Sequence, residues 1–257
     1  MTAETLNAIG NGGRRERRSL GSALVNYART CFAGVPVDNA EHSRAYARQL
    51  ETATDTLMTI QVAVFLVAPA YAVLFKRGAH VPMLFTAATA LVVLTVIAYK
   101  ILSRTLEDAD LAALRRADRR LSAIALCLGV SWITLFSAVA QGSFYPNALV
   151  TNFISLALIG IGAIIFLHVP RAFLLFTTPI ALGMAINAWS DPNVEGPIAS
   201  GLIALYLVVL TKSVVDHAEI FRDGQINAER LLAAETQRHE QERQLAEYRL
   251  SAELTTS

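Results

Sequence analysis

The chain has 257 residues, of which 54% are hydrophobic and 17% charged, and its mean hydropathy is +0.43. Soluble domains carry about a quarter charged residues, and here the apolar residues form long blocks, so the composition excludes an ordinary soluble domain. A net charge of +1 offers no electrostatic attraction for nucleic acid, and the two cysteines, Cys31 and Cys127, lack any metal-ligand or disulfide spacing. We therefore expect no nucleic-acid partner, no metal and no cofactor.

Residues 1–56 form a basic segment that we expect to lie in the cytoplasm and to contain amphipathic helices. Residues 19–32 place their apolar side chains on roughly one helical face. Such a helix can lie on the anionic inner leaflet, or it can pack on its own bundle or on a partner subunit. Asp38 and Glu41 resemble a capping box, which predicts a helix over residues 39–56 that continues into the first apolar run.

Six apolar runs fill residues 57–215, and each is about long enough to cross a bilayer. The sequence therefore predicts an all-α polytopic membrane protein, in which a bundle of six transmembrane helices is followed by a cytoplasmic signalling helix. The runs cover residues 57–75, 81–99, 121–140, 147–167, 169–189 and 197–215.

Basic residues are concentrated on one side of these runs. The segment before the first run and the loop between the second and third are rich in arginine, whereas Lys76 and Arg77 are the only basic residues in the opposite loops. Short basic loops stay in the cytoplasm, and an even number of spans puts both termini on one side. We therefore expect an inner (plasma) membrane protein, embedded in the lipid bilayer, with both termini cytoplasmic.

A few polar and aromatic side chains interrupt the apolar runs. Asn152 lies near the outer start of the fourth run and Asn187 near the outer end of the fifth. Amides are costly in lipid unless they face the bundle interior, so these two can line an outward-facing pocket with aromatic neighbours. The alternative interpretation is that the amides make interhelical hydrogen bonds and the rings anchor the helix ends. The candidate pocket residues are Trp132, Tyr145, Asn152, Asn187 and Trp189.

Residues 216–257 are dense in Glu, Arg, Gln and Ala and contain no proline, which predicts a solvated helix. Their apolar residues fit a heptad frame that is only half apolar, and such a frame predicts a weakly specified coiled-coil homodimer. A plain solvated helix explains the pattern as well. The candidate signalling residues of this segment are Ile220, Leu231, Leu245 and Tyr248.

The chain resembles the membrane input regions of proteobacterial signalling receptors over residues 45–250. It does so in its six-run layout, its arginine-rich inner loops and two stretches, FTTPIALG at residues 176–183 and KSVVDHAEIF at residues 212–221. In those proteins the region precedes a cyclic-di-GMP domain of the GGDEF or EAL type, or a histidine kinase. The membrane half of class III adenylyl cyclases is the nearest rival resemblance.

The resemblance implies a sensory and dimerisation module that signals through its exit helix to a cytoplasmic effector, a cyclic-nucleotide cyclase or a kinase, in cis or in trans. These residues carry no GGDEF signature and no catalytic aspartate pair, so we expect no catalytic residue and no enzyme activity here. The chain is then either the input part of a longer receptor or a regulator of a separate partner. A small transporter or channel is the alternative, although no charge lies at the middle of any run.

Overall fold

The computed structural model describes residues 40–76, 80–102, 111–140, 145–190 and 195–255, with side chains over residues 42–76, 80–101, 111–139, 151–190 and 195–245. Within these ranges the chain forms six α-helices and no strand, so the prediction of an all-α fold is confirmed for the part that is described. Residues 19–32 and Asp38, on which two sequence predictions depend, lie outside these ranges. The helices are α1 (Ala40–Phe75), α2 (Val81–Leu102), α3 (Leu111–Ala140), α4 (Tyr145–Ile165), α5 (Pro170–Ser190) and α6 (Gly196–Thr255).

Five of these helices, namely α1, α2, α3, α5 and α6, are long and apolar enough to cross a membrane. In α4 the side chains are described from Thr151 onward, and the apolar stretch from there to Ile165 is shorter than the other five. The five long apolar helices are those of a helical membrane protein, and a sixth span in α4 stays a prediction.

Successive helices run in opposite directions, so the bundle has two ends. At one end the backbone N–H of His80, just before α2, donates to the carbonyl oxygen of Ala138 in α3 at 3.0 Å. At the same end the hydroxyl oxygens of Tyr71 in α1 and Thr151 in α4 lie 3.1 Å apart. We call this the distal end, and we call the opposite end, from which α6 extends, the proximal end.

Helix α1 consists of a polar half followed by an apolar half, with no break between them. The apolar run begins at Leu57, and the whole helix has 36 residues, which is about 54 Å at the usual rise per residue. The hydrocarbon core of a bilayer is only about 30 Å thick. The polar half of α1 therefore extends beyond that core at the proximal end.

Glycine positions bring α3 and α5 into close contact at the centre of the bundle. A Cβ atom at Gly129 would overlap the backbone carbonyl of Phe176, and a Cβ atom at Gly183 would overlap the side chain of Ile133. Only glycine allows the two backbones to approach this closely, which is the usual role of small residues between membrane helices. Phe173, also in α5, is fully buried.

The outer surface of the spanning segments is apolar. Large side chains point away from the bundle, among them Val62 and Leu66 in α1 and Leu202 in α6. In the most apolar stretch of α6, only 17% of the residues are buried. A contiguous apolar surface of this kind is rare on a protein in water, so it favours contact with lipid or with another membrane helix.

The last helix, α6, is continuous over 60 residues, which is about 90 Å. Its first third holds the sixth predicted span, and the side chains of residues 230–245 are all exposed. The absence of proline after Pro197 predicts this continuity, and the structure contains it. The helix thus connects the bundle to an extension that the bundle does not cover.

Candidate functional site

Three polar side chains from three helices meet at the proximal end. Arg171, in the first turn of α5, donates from Nη1 to Oδ2 of Asp118 in α3 at 3.1 Å. The phenol of Tyr46 in α1 makes a hydrogen bond with the same carboxylate. Tyr46 and Asp118 are buried, whereas part of the Arg171 side chain reaches the surface. This proximal polar cluster, formed by Tyr46, Asp118 and Arg171, joins α1, α3 and α5.

The cluster perturbs the pKa of Tyr46, which lies in the polar half of α1, before the apolar run. Burial raises the pKa of the Tyr46 phenol well above its usual value, and the charge and hydrogen bond of Asp118 raise this pKa further. The positive charge of Arg171 acts in the opposite direction. The phenol therefore stays neutral and donates to Asp118. A buried carboxylate needs both a counter-charge and hydrogen bonds, and here it has both.

The polar half of α1 also contacts α6 just past the apolar segment of that helix. Gln49 is buried, and its Nε2 donates to the backbone carbonyl of Ala218 at 2.8 Å. A buried amide of this kind holds two helices in one relative position, because moving them leaves it unpaired. We call this set of contacts the α1–α6 clasp. It also contains Arg48 with Gln225 at 2.6 Å, Arg48 with Glu229 at 3.8 Å and Arg44 with Glu229 at 3.7 Å.

A histidine in the turn between α4 and α5 contacts α6 near the clasp. The ring centroids of His168 and Phe221 lie 4.2 Å apart. Partial burial lowers the pKa of His168, and the nearby His217 on α6 lowers this pKa further. At neutral pH the imidazole of His168 is therefore uncharged, and it contacts the Phe221 ring as a neutral group.

A second candidate site is a cleft of about 610 Å³ between α4, α5 and α6 in the distal half of the bundle. Its lining is apolar except for Asn152 and Tyr206. Phe153 and Leu202 on its rim are 74% and 62% exposed, so the cleft opens sideways rather than into the bundle. A volume of this size is typical of pockets for small ligands.

The structure brings one of the five candidate pocket residues, Asn152, into this cleft. Asn187 lies at the distal end of α5 as expected, but it does not line the cleft, whose α5 wall is formed by Met184 and Ala188. The side chain of Tyr145 lies outside the described residues. Of the two predicted amides, therefore, only Asn152 faces this space.

The two tryptophans have other contacts. Trp132 is buried in α3, with its ring centroid 5.4 Å from that of Phe136. Trp189 is exposed, and its indole N–H donates to the hydroxyl of Ser200 in α6 at 2.8 Å. Trp132 thus fills space in the core, and Trp189 holds α5 to α6 at the distal end.

The candidate signalling residues of α6 form one stripe. Ile220, Leu231 and Leu245 are 69%, 63% and 58% exposed. At about 100° per residue they fall within about 40° of one another around the helix axis. The side chain of Tyr248 lies outside the described residues. The stripe is open to a partner helix, and the homodimer stays a prediction.

Asp118 is not among the residues predicted from the sequence, where it stands among four arginines. The helical spacing of the neighbouring leucines nevertheless indicates that Asp118 is buried. Asp118 lies four residues after Leu114 and three before Leu121, and both leucines are almost completely buried. The same face of α3 therefore buries Asp118, and a buried carboxylate requires a basic partner from another helix.

The described residues contain no group of three or more His, Cys, Asp and Glu side chains that could hold a metal ion. The fold and the two sites define a helical membrane protein whose last helix extends well beyond its bundle. Comparisons of the chain with protein-family models, with curated proteins and with solved structures found no match.

Proposed function

We propose that this protein is a membrane sensory and dimerisation module that transmits a signal through α6 to a cytoplasmic effector, fused or separate, of the cyclic-nucleotide cyclase or kinase type. The observation that carries the proposal is the continuity of α6, which joins the apolar bundle to an exposed extension in one helix of 60 residues. A continuous helix passes a shift or rotation along its length, and such movements bias a two-state neighbour.

Contacts at the proximal end support this role because they lie where α6 leaves the bundle. The α1–α6 clasp holds α6 at Ala218, and His168 holds it at Phe221, one turn further on. A rearrangement of α1 or of the α4–α5 turn therefore acts directly on the base of the extension. Residues 231–245 lie beyond these contacts, and their side chains are exposed, so this part of α6 can follow the movement.

The proposed location is the inner membrane, with six spans and with the proximal end in the cytoplasm. The described proximal ends of α2 and α3 carry Lys100, Arg115, Arg116, Arg119 and Arg120, whereas the described distal residues include a single Lys or Arg, Lys76. Basic residues next to spans stay in the cytoplasm. A cysteine at Glu195 should react with an impermeant maleimide on intact cells, and a cysteine at Thr236 should not; the reverse pattern would contradict this orientation.

The test of transmission is a series of insertions after Leu232, beyond the clasp, in the full chain with a diguanylate cyclase domain fused after Ser257. Each inserted residue turns the helix beyond it by about 100°. Two inserted residues should change cyclic-di-GMP output sharply, and seven should restore it, because seven residues make nearly two full turns. As a control, all insertion variants should be present in the membrane fraction in equal amounts.

Output that is independent of insert length would contradict transmission through α6. If the purified protein also took up solutes into lipid vesicles, the small transporter or channel would be the better description.

A further inference from the structure

The distal cleft lies inside the part of the molecule that faces the bilayer. Its three walls belong to α4, α5 and α6, and its exposed rim residues Phe153 and Leu202 stand on the outer surface of the bundle. The cleft extends as far as Tyr206, which lies ten residues after the start of α6. This is about 15 Å along the helix. Because the cleft opens sideways at its rim residues, an occupant can enter it from the membrane.

Asn152 is one of the two polar residues in the lining of this apolar space. The side-chain amide of Asn152 has no hydrogen bond within the part of the chain that is described. Asn152 is partly exposed, and its place in the lining lets its amide hydrogen-bond to an occupant of the cleft. The hydroxyl of Tyr206 lies 3.5 Å from the carbonyl oxygen of Leu156, a long contact that leaves it able to bind a further group.

The size of the cleft limits the occupant. A transmembrane helix is about 10 Å wide, so a volume of about 610 Å³ holds only a turn or two of one. An alkyl chain is much narrower than a helix, and the apolar lining of the cleft suits it. An apolar lining with an amide near the distal end of the cleft matches one alkyl chain that carries a small hydrogen-bonding head group.

We propose that the distal cleft binds a single-chain amphiphile, such as a fatty acid, with its head group at Asn152 and its alkyl chain directed towards Tyr206. The cleft shares α6 with the clasp and the extension, so this amphiphile is also the class of stimulus. The identification of the amphiphile as the stimulus rests on the proposed function, whereas its binding to the cleft does not.

The test uses the full chain in lipid nanodiscs and a photoactivatable palmitic acid as the probe. We expect labelling of the α4, α5 and α6 segments around the cleft, and competition by unlabelled palmitic acid. Ala199→Phe fills the cleft and should reduce labelling by about tenfold, whereas Ala63→Phe, on the exposed face of α1, should leave it unchanged. Asn152→Leu should weaken labelling, and Asn152→Gln should retain most of it.

Equal labelling of the Ala199→Phe and Ala63→Phe variants would overturn the proposal, as would equal labelling by a diacyl phospholipid probe. Efficient chain-to-chain crosslinking of a cysteine at Leu202, with no fatty-acid labelling, would show that a second copy covers the cleft instead, and this also overturns it. Binding without any effect on the output of the fused cyclase would contradict the proposed function alone. Output that follows insert length without binding would contradict the amphiphile site alone.

Discussion

Asp118 is the buried charge on which the proximal polar cluster depends. Asp118→Asn keeps an oxygen that accepts from Tyr46, but it removes the negative charge that stabilises Arg171. We expect the free energy of unfolding to fall by about 1–3 kcal/mol, measured by thermal unfolding in detergent micelles. The matched control is Asp223→Asn, because the Asp223 side chain is 68% exposed beside Arg222; its effect should stay below about 1 kcal/mol. Equal losses in the two variants would mean that the cluster does not stabilise the bundle.

The lowered pKa of His168 gives the stability of the proximal end a pH dependence. In the folded protein this pKa lies below the usual value of 6.5, so between the two values the unfolded chain binds more protons. The contribution of neutral His168 to the free energy of unfolding is therefore fully present above about pH 6.5. It falls as the pH decreases and is lost once the pH passes below the lowered pKa.

We expect His168→Gln to flatten this decline in unfolding experiments between pH 8 and pH 5. The difference between the two proteins at pH 8 reports the lost contact with Phe221, and the difference in slope reports the titration. The same slope in both proteins would show that another group controls the pH dependence.

Single residues were the hardest feature to predict from sequence. The amide of Asn152 faces a pocket, as its cost in lipid suggested, but the equally costly Asn187 does not line it. Trp132 and Trp189 have the same side chain, yet one is buried and the other is 66% exposed. The free-energy cost of exposing an amide to lipid predicts that the amide faces protein. It does not predict which residue the amide contacts.

The contact between α3 and α5 shows how one residue type sets the distance between two helices. Gly129→Ala would place a methyl group on the backbone of Phe176, which cannot move aside as a side chain can. We expect a loss of about 1–3 kcal/mol in the free energy of unfolding, the usual cost of overpacking. The control is Gly201→Ala in α6, because a Cβ atom there meets nothing within 4 Å. Similar stability for the two variants would contradict the close approach.

Helices were predicted more accurately than their contacts. Each of the six apolar runs overlaps one described helix, because the length of an apolar run indicates a helix whatever that helix packs against. The pairing of α3 with α5 was not predicted, since it depends on the matching shapes of Gly129 and Phe176, which lie 47 positions apart in the sequence. The polar half of α1 was predicted as a helix, but its clasp with α6 depends on contacts that periodicity does not encode.

Across the whole molecule, α6 is the element shared by the distal cleft, the α1–α6 clasp and the contact with His168. Its distal part lines the cleft at Leu202 and Tyr206, and its middle part contacts α1 at Ala218 and the α4–α5 turn at Phe221. An occupant of the cleft therefore touches the same helix that the clasp positions. The side chains of residues 231–245 are exposed, so the bundle itself does not cover this part of α6.

A second copy of the chain is the partner that we predict for the extension. Leu231 and Leu245 lie on one exposed stripe, and apolar residues on such a stripe are what a parallel coiled coil needs. In a background with Cys31→Ser and Cys127→Ala, cysteines at Leu231 or Leu245 should crosslink efficiently between chains in membranes. A cysteine at Thr236, about 140° around the helix from Leu231, is the matched control and should crosslink poorly. Uniform crosslinking at all three positions, or none, would indicate an extension without a defined dimer contact.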